Sequence, residues 1–333
     1  MGKDRDIKNI LITGATGYVG AKLCLLLSKN KNYNITALSR KNKHDKSDWY
    51  KSVKNVIIGD IRDIETIKEL AKMKFEIIIH LVSLDHHKSE DDPKDVSSVN
   101  VLPTWNLLNE FSNNGSLKKF IYFSTVQVYG KVPLATISEE FTPIPQNAYG
   151  LTHLMSEQIC NYYNTSTDIN CINVRLSNSY GSPVFFDNNC WWLVINDLCK
   201  TAFYEKKIIL LSDGSPQRDF IHSSDVYNAV DFLIQTEIKN FHNNTYNISS
   251  GETLTILELA HIVKSVYKSR YEIEIEIILP DKSISDNPNK YLNSERYTVD
   301  NKKIKSLGFI SKTSMSTGIN EIFEYLDSIN NEK

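Results

Sequence analysis

The stretch Gly14-Ala-Thr-Gly17-Tyr-Val-Gly20 constrains this chain more than any other. It lies between an apolar, β-branched run at 10–13 and a helical pattern at 22–29, all within the first thirty residues. Glycines at that spacing allow a tight turn, let the backbone approach a ligand, and let the following helix pack on the preceding strand. The helix N-terminus then presents free N–H groups and the positive end of its dipole. A bare glycine pattern is also compatible with an ordinary βα turn. The strand–turn–helix context is what predicts a dinucleotide pyrophosphate site on Gly14, Thr16, Gly17, Tyr18, Val19 and Gly20.

The rest of the first half repeats the same alternation. Short apolar runs at 35–38, 56–58, 77–81 and 120–123 are separated by helix-like segments at 63–73, 95–113 and 148–163. Runs of that kind suit strands buried on both faces, so the pattern predicts an α/β fold with a doubly wound parallel sheet. Past residue 180 the pattern becomes mixed, with helices near 224–236 and 254–268 and an alternating stretch at 272–279 that reads as an exposed strand. We expect a dinucleotide-binding domain over 1–180 and a smaller α/β substrate-binding region over 181–333, interleaved with the first. With 333 residues, two such units are what the length allows.

Composition removes other classes. A formal charge of −2 gives no global attraction to nucleic acid or to an anionic membrane. No apolar run approaches the ~20 residues of a bilayer span, and the charged start lacks signal-peptide architecture. Five cysteines without CxxC spacing suggest reduced thiols and a cytoplasmic setting, with no zinc site. Asp85-His86-His87 invites a metal reading, but no third ligand lies at useful spacing; we expect no metal.

The end of the second strand selects the cofactor. An acid there would bind the ribose of NAD, yet this chain has Ser39 followed by Arg40. A hydroxyl and a guanidinium suit a 2′-phosphate, so NADP(H) is expected over NAD(H). Arg40 also begins a solvated, Lys-rich loop.

Three later stretches converge: Ser124-Thr125-Val-Gln-Val-Tyr129-Gly130 after a strand, Tyr149-Gly-Leu-Thr-His153 opening a helix, and Asn173-Val-Arg-Leu-Ser-Asn178. With Gly59-Asp60, His80-Leu81, Arg218-Asp-Phe-Ile-His222 and Tyr246-Asn-Ile-Ser-Ser-Gly251, the chain resembles the extended short-chain dehydrogenase/reductases of the nucleotide-sugar epimerase/dehydratase group. The resemblance covers nearly the whole length and implies a Rossmann-type fold. It implies hydride transfer at C4 of a nucleotide-diphosphate sugar, with Tyr149 exchanging the hydroxyl proton. Thr125, with Ser124 beside it, matches the partner hydroxyl. It adds Asp60, Ile61, Leu81, Val82, Ser83, Tyr149 and His153 to the cofactor site. It places Asp85, Asn178, Arg218 and Arg296 against the substrate and suggests a homodimer through the helices at 95–113 and 148–163.

Two departures matter. Family members that eliminate water carry Asp-Glu where this chain has Val126-Gln127, so dehydration is not expected. His153 replaces the lysine that holds the nicotinamide ribose and steadies the tyrosinate. The expected activity is an NADPH-dependent 4-keto-sugar reductase. A 4-epimerase with retained NAD and a catalytically weak dinucleotide-binding sensor or scaffold are the alternatives.

Overall fold

A computed structural model describes residues 7–331 apart from 134, 238–243, 282, 285–286, 288–289 and 292–294. They form two compact units, the first from Met1–Val132, Glu139–Leu176 and Val230–Asn247, the second from Pro133–Ser138, Ser177–Ala229 and Ile248–Lys333.

The first unit begins β1 (Lys8–Thr13), α1 (Tyr18–Leu27), β2 (Tyr33–Ser39), α2 (Asp48–Ser52) and β3 (Asn55–Ile58). It continues through α3 (Ile64–Lys72), β4 (Ile77–His80), α4 (Pro93–Asn100), α5 (Leu102–Ser112) and β5 (Lys119–Thr125). After β6 (Thr136–Ile137), which belongs to the second unit, come α6 (Ala148–Ser166) and β7 (Asn170–Leu176). A seven-stranded sheet runs in the order β3, β2, β1, β4, β5, β7 and the strand Thr245–Ile248. Every pairing from β3 through to β7 is parallel.

The apolar runs become central strands because they can bury both faces: Ile10, Leu11, Ile12, Ile78, Ile79, Phe120 and Ile121 are all fully buried. Each such side chain contributes roughly 1.5–3 kcal/mol of hydrophobic stabilisation. From β1 the chain moves outward to β2 and β3, then crosses back to β4 on the other side of β1. This reversal opens a crevice at the carboxyl ends of β1 and β4, the place where doubly wound sheets bind ligands.

One expected helix is two. The 95–113 segment breaks at Val101, between α4 and α5, because Pro103 in the first turn of α5 has no N–H to continue the ladder.

The second unit contains β8 (Asn178–Tyr180), α7 (Val194–Glu205), β9 (Lys207–Ile209) and β10 (Gln217–His222). Next along the chain are α8 (Ser223–Gln235), whose last turns return to the first unit, and β11, the Thr245–Ile248 strand already placed. Then come β12 (Thr253–Thr255), α9 (Ile256–Tyr271), β13 (Glu276–Ile278), β14 (Thr298–Val299), α10 (Lys302–Ser306) and α11 (Met315–Asn331). A three-stranded sheet has the order β12, β10, β8. Its core is built from α7, α9 and α11 around Leu198, Val263, Tyr267 and Phe323. The 272–279 stretch is not an exposed strand: only Glu276–Ile278 is strand, and it pairs with β9. Ile275 and Ile277 enter the core, while Glu272 ends α9 with φ +58°.

Candidate active site

The glycine loop fits a dinucleotide. Gly14 has φ +69°, and a Cβ on Gly20 would lie 2.2 Å from the Gly14 carbonyl oxygen. A Cβ on Gly14 would meet the Leu81 carbonyl carbon at 3.1 Å, so the backbone of Leu81 and Val82 closes on this turn. Helix α1 follows its N-cap Gly17 with no side-chain cap and no acid in its first turn, an arrangement that suits a ligand phosphate at the positive end of the helix. Thr16, Tyr18 and Val19 are half-buried around that opening.

At the end of β2, Ser39 is buried and its Oγ donates to the Lys41 carbonyl (2.8 Å), while Arg40 is exposed. No carboxylate among the described residues forms an ion pair with Arg40. Asp60 is gripped by Arg62, with Nε at 3.0 Å from Oδ1 and Nη2 at 2.6 Å from Oδ2, which holds its carboxyl below the usual range. Ile61 points into the core with Leu11, Leu38 and Ile67, leaving only its backbone for a ligand.

Tyr149 lies in the first turn of α6, which Asn147 caps by accepting from the Gly150 N–H at 2.7 Å. Asn147 also donates to Gln127 Oε1 (3.0 Å), and a Cβ on Gly150 would come within 2.7 Å of the Gln127 carbonyl. The helix start is thus pressed on the turn after β5, where Thr125 ends the strand. Burial raises the Tyr149 pKa above 10, the Ser83 and Thr125 hydroxyls oppose that shift, and Asp85 adds to it. Among the described residues no cation contributes to this shift. Gln127 is occupied by Asn147, and neither it nor Val126 can transfer a proton.

His153 is buried beneath Tyr149, their ring centroids 4.2 Å apart. Its Nδ1 is 2.8 Å from the Tyr149 carbonyl oxygen, which can only accept, so the proton sits on Nδ1 and Nε2 is the acceptor. Burial lowers its pKa to about 4, so it is neutral at pH 7. Tyr122 links it to His80, with centroids 6.0 Å from each. His80 bonds Thr13 at 2.6 Å, and burial, with His153 adding, lowers its pKa to about 3.

Both histidines titrate lower folded than unfolded, so their contribution is complete above pH ~6.5 and is lost as pH falls toward 4 and then 3. At pH 5 each is expected to remove about 2 kcal/mol. Urea denaturation should therefore show a clear fall in stability between pH 7 and 5; an unchanged midpoint would show that these imidazoles are not held neutral.

Ser124 does not join the pair expected of it. It stands beside Arg175 in the β5–β7 register and donates to Glu157 Oε1 at 2.5 Å. Glu157 and Arg175 form a buried bidentate pair (Nε–Oε1 3.0 Å, Nη2–Oε2 2.7 Å), and the guanidinium lies over the Tyr129 ring at 4.7 Å. The chain reading missed this pair. Its signal was present: Glu157 follows Tyr149 and His153 at four-residue spacing on one helix face, and Arg175 interrupts an apolar strand.

In the second unit, Asn178 opens β8 and its Nδ2 donates to the Asp219 carbonyl (2.8 Å). Arg218 on β10 is exposed, with Nη1 donating to the Gln217 carbonyl (2.7 Å), and no described carboxylate pairs with it. It forms no salt bridge with its neighbours Asp219 and Asp225. Asp225 accepts from the N–H groups of Lys312 and Thr313. Arg296 is engaged internally, by Glu258 Oε1 (2.5 Å) and the Thr253 carbonyl (2.7 Å), so its charge is already compensated and it does not stand free as a second clamp. In the first unit, Asp85 accepts from the Lys88 N–H (3.0 Å), and the His86 and His87 rings lie 3.9 Å apart. No metal-ligating cluster occurs among the described residues.

Residues 10–249 match the sequence profile of the NAD dependent epimerase/dehydratase family. The chain belongs to that family. Among curated relatives, a trifunctional UDP-glucose 4,6-dehydratase/3,5-epimerase/4-keto-L-rhamnose reductase of Arabidopsis thaliana is 25% identical over 96% of this chain. It is a longer protein, of which the match covers 47%; the chain spans about half the length of the trifunctional relatives. A putative UDP-glucose 4-epimerase of Methanocaldococcus jannaschii is 26% identical over 96% of this chain and 99% of its own length. Among solved structures, UDP-glucuronic acid 4-epimerase from Bacillus cereus, in complex with UDP-glucuronic acid and NAD, superposes with a TM-score of 0.78 at 24% identity, covering 96% and 99% of the two chains. UDP-glucose 4-epimerase from Thermotoga maritima gives 0.80 at 21%, covering 97% and 99%. The family and the Rossmann-type architecture follow the sequence reading. Among the described residues no helix is long and apolar enough to cross a membrane.

Proposed function

We propose that this protein reduces a 4-keto group on a nucleotide-diphosphate sugar, with NADPH as the donor. The observation that carries the reading is Tyr149: burial and Asp85 oppose its ionisation, outweighing the Ser83 and Thr125 hydroxyls that favour it, and the residue beneath it is a neutral imidazole. A tyrosine so placed is an acid before it is a base. Oxidation of an alcohol at C4 would need the tyrosinate; reduction of a carbonyl needs the protonated form.

Gly14, Gly17 and Gly20 would hold the pyrophosphate, with Thr16, Tyr18 and Val19 in the turn and first helical residues. Ser39 and Arg40 would take a 2′-phosphate, and Asp60, Ile61, Leu81, Val82 and Ser83 would border the rest. His153 Nε2 would accept from a ribose hydroxyl in place of the usual lysine. Bound, the reduced dinucleotide supplies the hydride. Tyr149 gives its phenolic proton to the oxygen on C4, Thr125 steadies that oxygen, and solvent restores the proton. Asn178 and Arg218 would bind the diphosphate, with Asp85 toward the sugar. With Val126 and Gln127 after Thr125, elimination of water has no acid–base pair.

A 4-epimerase with retained NAD is the second reading, favoured by the full-length similarity to the putative 4-epimerase. A sensor or scaffold would have little use for the Tyr149–Thr125 pair. Denaturing freshly purified protein and identifying the released nucleotide separates them. Sub-stoichiometric NADP(H) is expected; one tightly held NAD(H) per chain would move the assignment to epimerisation.

We also propose a homodimer. Leu102 and Trp105 on α5 and Leu151, Met155 and Tyr162 on α6 are between 44% and 60% exposed, an apolar surface suited to a second copy. Five buried free cysteines suit a reducing, cytoplasmic setting.

A further inference from the structure

We infer that Asp219 is a positioning residue for the diphosphate clamp, holding Asn178 and Arg218 in place without itself touching a ligand. The inference rests on the proposed nucleotide-sugar reading. Asp219 is fully buried, and no Lys, Arg or His among the described residues forms an ion pair with it. Its charge is met instead by four donors from two other segments. Oδ1 accepts from Ser177 Oγ (2.6 Å) and the Ser250 N–H (3.1 Å). Oδ2 accepts from Ser250 Oγ (3.0 Å) and the Gly251 N–H (2.9 Å). A carboxylate that accepts four hydrogen bonds makes a rigid junction, because each lost donor leaves a buried acceptor unmet.

The junction sits where the clamp is built. Ser177 directly precedes Asn178, whose amide donates to the backbone carbonyl of Asp219 itself. Arg218 directly precedes Asp219 on β10, where Asp219 pairs with Thr253 and Phe220 with Asn178. The third segment is the turn at Ser250 and Gly251, where Gly251 has φ +82°. One buried acid therefore fixes the start of β8, the start of β10 and the turn before β12. It leaves the Arg218 guanidinium exposed and, among the described residues, without a partner carboxylate. An acid able to swing outward would neutralise that arginine; this one is turned inward and fully occupied.

The test is binding of UDP, dTDP, GDP and CDP by calorimetry to the full chain and to Asp219→Asn, Ser250→Ala and Arg218→Ala, with NADPH binding as the internal reference. Asn preserves the shape of Asp219 but places an amide against donors. Asp219→Asn is expected to weaken the best nucleoside diphosphate at least 20-fold, leaving NADPH affinity within about 2-fold. With the corresponding nucleotide sugar, KM should rise by the same factor while kcat at saturation stays within about 3-fold. Ser250→Ala, which keeps the charge and removes one donor, should weaken binding 3- to 5-fold, so the inference remains testable if Asp219→Asn does not fold. Unchanged diphosphate affinity in both variants, with loss in Arg218→Ala, would overturn the role of Asp219 and leave the clamp intact. Equal losses of diphosphate and NADPH would also overturn it, showing a general structural effect. Failure of the unaltered protein to bind any of the four would instead remove the nucleotide-sugar reading, and this inference with it.

Discussion

Tyr149→Phe is expected to lower turnover by roughly 10³-fold while nucleotide-sugar and dinucleotide binding survive. The substitution removes one oxygen from a half-buried ring and leaves the ring's contact with His153 in place. What disappears is the phenolic proton donor, whose ionisation burial opposes. A positioned general acid is worth about 10²–10⁴ in rate, and neither Gln127 nor His153 replaces it: Gln127 is an amide occupied by Asn147, and His153 is neutral, with its proton committed to a carbonyl. The accompanying pH profile carries a sign. Because the Tyr149 pKa lies above 10, reduction should be flat through neutrality and fall only in strong alkali, whereas the reverse oxidation should climb with pH. His153→Lys supplies the missing cation and should lower the pH at which oxidation sets in. Collapse of activity in that variant would mean that the imidazole has a specific task.

Gly20→Ala should cost at least 100-fold in dinucleotide affinity. A Cβ there would sit 2.2 Å from the oxygen and 2.9 Å from the carbon of the Gly14 carbonyl, and both are backbone atoms that no rotamer change can move. Relief requires α1 to withdraw from β1, which carries its N–H groups away from the phosphate position. Overpacking of this kind typically costs about 1–3 kcal/mol in stability as well. Gly17→Ala is the graded comparison: its Cβ would meet the same oxygen at 3.2 Å, so only a few tenths of an ångström must be found, and a smaller loss is expected. Titration with NADPH measures both. Equal affinity in Gly20→Ala and the unaltered chain would place the dinucleotide elsewhere.

The features legible in the sequence are those with local causes. Glycines between a strand and a helix constrain the backbone whatever surrounds them, and β-branched runs buried on both faces announce a parallel sheet. The break between α4 and α5 also has a local cause, Pro103, yet the 95–113 segment reads as one helix in the sequence and only the structure divides it. Contacts between residues distant in the chain were not legible. Ser124 lies beside Thr125 in sequence, yet its partner Glu157 is 33 residues away. Arg296 looks like a free cation until Glu258 is found against it. His153 was visible as a departure, but its charge state depends on burial under Tyr149, which spacing alone does not give. The carboxylate of Asp219 likewise becomes meaningful only once Ser177 and Ser250 have been brought to it.

The central claim is net reduction at C4 with Tyr149 as acid, and incubation with NADPH deuterated at the transferable position tests it most directly. Nucleotide-linked 4-keto hexoses would be supplied, and the products examined by mass spectrometry and proton NMR. One deuterium on C4 of the sugar is expected for each NADPH consumed, and none with Tyr149→Phe. Conversion of a nucleotide hexose to its C4 epimer with no NADPH consumed and no deuterium incorporated would contradict it, and would make the protein an epimerase.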